Sequence, residues 1–175
     1  FILRAPTAVC DPLLSWFAVP LQLAGVPLPM VFNILTMAGL AFTGFAVWLL
    51  AARLTGRKDA AVIAGVIVTM NPFLYRQLAS GFTEFAWWGF MPLTLYLLLR
   101  WLDQPGPRLL ALQLASLLAM ALMSIYATAY YAIVAAMLLP AVFVARHEQK
   151  QRRLRNILIA YAAGAACLAP LLMLW

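Results

Sequence analysis

Charged side chains punctuate this chain at wide intervals, and the apolar lengths between them suit membrane-crossing helices. Such a helix needs about 20 mostly apolar residues, because the hydrocarbon layer is about 30 Å thick and each residue rises about 1.5 Å. Leu28 to Ala52 carries no charge and ends at Arg53, Arg57 and Lys58. Ala60 to about Tyr75 is shorter, with Asn71-Pro72 interrupting its far end, and Phe82 to Leu102 is apolar apart from Glu84 and Arg100 near its ends.

The 37 residues between Arg108 and Arg146 include no charge at all. As one helix they would run about 55 Å, well beyond one bilayer, so the stretch is expected to fold back. The expected turn is Ser124-Ile-Tyr-Ala-Thr-Ala-Tyr-Tyr131, whose tyrosines suit the headgroup level. Asn156 to Trp175 makes a last span. The pattern thus predicts an all-α, polytopic transmembrane helix bundle in a single domain. It has about five to six spanning helices, near 28–52, 60–75, 82–102, 109–125, 126–145 and 156–175.

Residues 1–27 are expected to stay out of the bilayer core. They hold Arg4, Asp11 and four prolines (Pro6, Pro12, Pro20, Pro27), too broken for a spanning helix. Asp11 to Leu23 suits a short helix in the interface plane, with Asp11 as N-cap and Pro12 at the first helical position. A plain capping role for Asp11 is the simpler account.

Composition agrees with this layout. The chain is 66% hydrophobic and only 10% charged, with a mean hydropathy of +0.96. A soluble domain is about half apolar and about a quarter charged, so too few polar side chains exist to coat a water-facing surface. The same numbers exclude a disordered chain. The sequence opens on Phe1 and stops inside an apolar run, so it reads as a piece of a longer chain, and no signal peptide is recognisable. Cys10, Cys167 and the single His147 have no metal-ligand or disulfide-framework spacing.

Net charge is +7, which in a soluble chain would point to nucleic acid. In a membrane chain its distribution matters more, and no nucleic-acid partner is expected. Ten of the twelve basic residues fall in three turns, 53–59, 100–108 and 146–155. With Asp59, Asp103 and Glu148 these turns carry the whole excess, while Arg4, Asp11, Arg76 and Glu84 on the other side sum to zero. The positive-inside rule makes the three turns cytoplasmic and the chain a multi-pass protein of the cell membrane. The run Arg146 to Arg155 is a topology anchor that also touches anionic lipid.

Candidate chemistry gathers on the opposite face. Arg76 and Glu84 stand among Phe73, Tyr75, Phe82, Phe85, Trp87 and Trp88. One reading is an aromatic belt with an Arg–Glu pair fixing two helix ends. The other is a site in which arginine meets a phosphate, aromatics meet a sugar face or lipid, and a carboxylate moves a proton.

The order of several short motifs resembles the multispanning glycosyltransferases of the GT-C fold. They are Asp11-Pro-Leu-Leu, Val19-Pro-Leu-Gln-Leu, Phe32-Asn33, and a span closing on Leu49-Leu-Ala-Ala-Arg-Leu-Thr-Gly56. Ala64-Gly65, Asn71-Pro-Phe-Leu74, Trp88-Gly-Phe-Met-Pro-Leu93 and Ser124-Ile-Tyr-Ala127 extend the likeness over nearly all of the chain. Bacterial YfhO-like membrane proteins share the layout. The resemblance implies transfer of a sugar from a polyprenyl-phosphate donor outside the cytoplasm, in the inner membrane of a bacterium. Catalysis there depends on an acidic residue in the first extracytoplasmic loop, often with a divalent metal (Mg or Mn) nearby.

On this chain the expected catalytic carboxylates are Asp11 and Glu84, although Asp11 lies late for the family's acid and the loop mostly precedes Phe1. Arg4, Arg76, Tyr75, Trp87, Trp88 and Tyr126 are the expected substrate contacts. The expected partners are membrane lipid and a polyprenyl-phosphate-linked sugar, with the metal and oligomeric state left open. A transporter and a non-catalytic membrane scaffold stay open beside the enzyme. Neutral groups at the expected span centres, among them Asn33, Thr36, Thr43, Gln113 and Ser116, weigh against an ion pathway.

Overall fold

The computed structural model describes residues 12–144 and, beyond them, the helical positions Ile159, Ala162, Gly164 and Ala166. Among the described residues every regular element is helical. Helix α1 is Pro12–Leu23, α2 Leu28–Thr55, α3 Lys58–Thr69, α4 Pro72–Ala79, α5 Phe90–Asp103, α6 Pro107–Met123 and α7 Ile125–Val144, with a 3-10 turn at Thr83–Trp87 between α4 and α5. Two helical stretches, Leu28–Thr55 and Lys58–Ala79, are long and apolar enough to cross a membrane. Only 28% and 17% of their most apolar windows are buried by the rest of the chain, unlike the core helix of a soluble protein.

α2 and α3 form an antiparallel pair. Gly56 ends α2 in the left-handed region (φ 69°) and donates its N–H to the Ala52 carbonyl, the C-terminal stop that glycine permits without steric penalty. Arg57 hydrogen-bonds across the turn to Asp59 (3.2 and 2.5 Å), and that carboxylate raises the Arg57 guanidinium above its ordinary value. The helices then touch through small residues: a Cβ added to Gly65 would stand 2.8 Å from the Gly44 carbonyl oxygen. α3 ends at Thr69, whose hydroxyl bonds back to the Gly65 carbonyl (3.0 Å). Asn71 caps α4 by accepting from the Phe73 N–H (2.9 Å), and Pro72 takes the first helical position.

α5 runs parallel to α2. The middle of α2, at Thr43, meets the turn that opens α5, while Arg53 at the end of α2 pairs with Asp103 at the end of α5. α5 and α6 join through Thr94 and Ser116, whose hydroxyl oxygens lie 2.7 Å apart. Since Thr94 donates to the Phe90 carbonyl, Ser116 donates to Thr94. Leu98, Trp101 and Leu102 bury against Leu109 and Leu110. α7 adds Ala127, Tyr131 and Ala135 to a core with Leu95, Leu117 and Met120.

Two local features depart from the sequence reading. Phe82 to Leu102 is not one continuous helix: the 3-10 turn and Gly89 precede an α5 of 14 residues. The long uncharged stretch breaks at a single residue, Ser124, in extended conformation (φ −160°, ψ 122°), and Tyr126, Tyr130 and Tyr131 belong to α7 rather than to a turn. The expected N-cap Asp11 lies outside the described residues, directly before α1.

Candidate functional site: an aromatic cavity around Glu84

The site is built on the 3-10 turn Thr83–Trp87, which is seated in a notch of α2. Gly39 and Thr43 stand one helical turn apart, so both face the same neighbour. Gly39 leaves room for the Trp87 indole, since a Cβ there would lie 2.7 Å from Trp87 Nε1. Gly89 lies closer still to the backbone of α2, with a would-be Cβ 2.6 Å from the Thr43 Cα. Thr43 closes the seat: its buried hydroxyl donates to the Ala86 carbonyl (2.6 Å) and accepts from the Gly89 N–H (2.8 Å). One side chain thus satisfies two backbone groups where the turn passes into α5. Thr43 lies about 15 Å along α2 from Arg53, about half the thickness of a hydrocarbon layer.

The seat sends the two adjacent tryptophans to different sides. Trp87 stacks on Phe17 of α1 (5.6 Å between ring centres) and Phe90 (6.2 Å), and lies 5.8 Å from Phe42. Trp88 lies 4.6 Å from Phe85, 6.4 Å from Phe73 and 6.2 Å from Tyr130 of α7. Beside Trp88 opens a cavity of about 290 Å³ walled by Phe73, Phe82, Phe85, Trp88, Tyr126 and Tyr130. Its remaining lining is polar: Gln77 from α4, Glu84 from the 3-10 turn and Ser124 from the α6–α7 break.

Glu84 is half-buried in this lining. The ion pairs among the described residues are Arg53–Asp103 and Arg57–Asp59, and the expected Arg76–Glu84 pair is not formed. The structure therefore brings Glu84, Trp88 and Tyr126 together. Trp87 packs away from the cavity, and Arg76 and Tyr75 sit exposed on α4 outside its lining, with the Tyr75 hydroxyl 3.8 Å from Met70 Sδ. Asp11 and Arg4 lie outside the described residues.

Ser124, Gln77 and Tyr130 join the site without having been singled out. Tyr130 belongs to the tyrosine cluster visible in the sequence and Ser124 opens the turn expected there, whereas Gln77 carries no signal and arrives through tertiary packing. Thr43 is likewise silent, as one polar residue in an apolar span.

Among the described residues no three His, Cys, Asp or Glu side chains group closely enough to hold a metal ion. Among the described residues the cavity lining offers a single carboxylate, Glu84, which does not fit the divalent-metal site that the resemblance implies. The chain matches no family model, no curated protein and no solved structure.

Proposed function

We propose that the chain is a multi-pass protein of a bacterial inner membrane that transfers a sugar from a polyprenyl-phosphate donor to an extracytoplasmic acceptor, with the Glu84 cavity holding the acceptor. One observation carries the reading: a half-buried carboxylate with no cation partner among the described residues, set in an aromatic-walled cavity. Concave, mostly apolar pockets with a few convergent polar groups are where proteins hold small molecules. Ionisable groups inside a membrane fold are expensive to keep and mark function.

The membrane setting is supported by the exposed apolar flanks of α2 and α3, Met37, Phe45, Ile63 and Ile67 among them. The orientation is supported by Arg53, Arg57, Lys58, Arg100 and Arg108, which fall at the end of the helices opposite the α4–α5 connection.

In the proposed reaction the acceptor hydroxyl gives its proton to the Glu84 carboxylate as its oxygen attacks the anomeric carbon. The bond from that carbon to the phosphate oxygen breaks, and the polyprenyl phosphate leaves with the electron pair. Arg76, exposed on α4 and free of a described carboxylate partner, suits the leaving phosphate better than the cavity does. The rings of Trp88 and Tyr126 suit the apolar face of the acceptor.

The test is transfer from a polyprenyl-phosphate sugar by full-length protein in membranes. Glu84→Gln is expected to lower the rate about a hundredfold or more, the usual contribution of a general base. Arg76→Gln is expected to slow transfer with membrane insertion intact. Wild-type turnover in both variants would remove these residues from the reaction.

A second reading, a transporter, draws on the 3-10 turn Thr83–Trp87 that interrupts the apolar segment ahead of α5, since transport sites are often built at helix breaks inside the bilayer. Movement of the lipid-linked sugar across proteoliposomes without transfer would favour it.

A further inference from the structure

We propose that the ligand in the Glu84 cavity presents an organic ammonium group, of the choline or ethanolamine kind. This rests on reading the cavity as a ligand site and adds the charge of what it selects. Two features make the cavity attractive to cations and repellent to anions. The Glu84 carboxylate has no cationic partner among the described residues. The walls are aromatic, and ring faces carry the negative part of the quadrupole, which binds ammonium groups within about 6 Å of the ring centre.

The rings stand at steep angles to one another. Phe73 and Phe85 meet at 77°, Phe82 and Phe85 at 73°, and Trp88 and Tyr130 at 56°. The lining is thus not one flat stack of rings, and aromatic enclosures of this kind are where ammonium groups are held. An ordinary interfacial belt has no need of a half-buried carboxylate in its lining. A neutral guest would leave that charge uncompensated, and a phosphate would be repelled by both the carboxylate and the faces.

The ammonium is compatible with the proposed chemistry. A carboxylate has two oxygens and about four lone-pair sites, enough to accept from a hydroxyl while the ammonium charge lies beside it.

The experiment compares choline with its uncharged analogue, carbon replacing nitrogen, binding to full-length protein in phosphatidylglycerol nanodiscs. Titration calorimetry or saturation-transfer NMR reads the affinity. Choline is expected to bind about tenfold or more tighter than the analogue. Glu84→Gln and Trp88→Leu should erase that preference, and Tyr75→Phe, outside the cavity, should keep it. The comparison of two ligands on the unaltered protein stands even where a variant fails to fold.

Equal binding of choline and analogue would overturn the ammonium while leaving the cavity a ligand site. Binding of neither would also overturn it, and the transfer assay would still decide the enzyme reading separately. Nanodiscs of phosphatidylcholine distinguish the source. Suppression of free choline binding there points to a lipid headgroup, and undiminished binding to a soluble ligand; both results support the ammonium.

Discussion

Thr43 decides where Glu84 stands. Its hydroxyl is the shared partner of the Ala86 carbonyl and the Gly89 N–H, the two backbone groups that flank the tryptophan pair. Thr43→Val keeps the shape and removes both bonds, so it should destabilise by about 1–3 kcal/mol for the orphaned groups. Thr43→Ser should recover most of that. Thermal unfolding in detergent checks the pair, and a Val variant as stable as wild type would show that the seat does not depend on the hydroxyl. Gly89→Ala probes the same seat from the other side. A methyl there meets the α2 backbone at Thr43, where no side chain can swing away, and about 1–3 kcal/mol of overpacking is expected in the same measurement. Neither residue is distinctive in sequence, because close approach between α2 and residue 89 is a long-range event.

At the scale of elements, charge spacing and helix-stop residues were informative and apolar texture was not. The uncharged run from Leu28 and the stop at Gly56 correspond to α2, and Asn71-Pro72 correspond to the cap that separates α3 from α4. Within uniformly apolar stretches the phase of a helix leaves little trace, so the 3-10 turn ahead of α5 was hidden, and the fold-back expected over residues 124–131 narrowed to Ser124 alone. The aromatics of residues 73–88 were visible as a group. Their division into a Trp87 side and a Trp88 side follows only from the turn's seat on α2. The α5–α6 contact offers a prediction of its own. Gln113 is buried, and its Oε1 has no hydrogen-bond partner among the described residues, whereas its neighbours Thr94 and Ser116 are paired. An unpaired buried acceptor costs about 1–3 kcal/mol, so Gln113→Leu should leave the unfolding midpoint unchanged or raise it. A marked fall would mean that Gln113 has a partner elsewhere in the chain or its ligand.

For the whole molecule, basic residues and the aromatic cavity belong to different regions of one helix set. Arg53 and Asp103 tie the ends of α2 and α5 at the basic end, whereas the cavity draws on the α4–α5 and α6–α7 connections. That polarity is what a lipid bilayer would impose, with positive turns retained in the cytoplasm and the aromatic cavity on the opposite side. The direct test replaces Cys10 and Cys167 with serine and introduces Gln104→Cys or Ser80→Cys, followed by labelling of intact cells with a membrane-impermeant maleimide. The cysteine at residue 80 should react from outside, and the one at residue 104 only after the cytoplasmic face is opened. Equal labelling of both positions in intact cells, or the reverse order, would contradict the account.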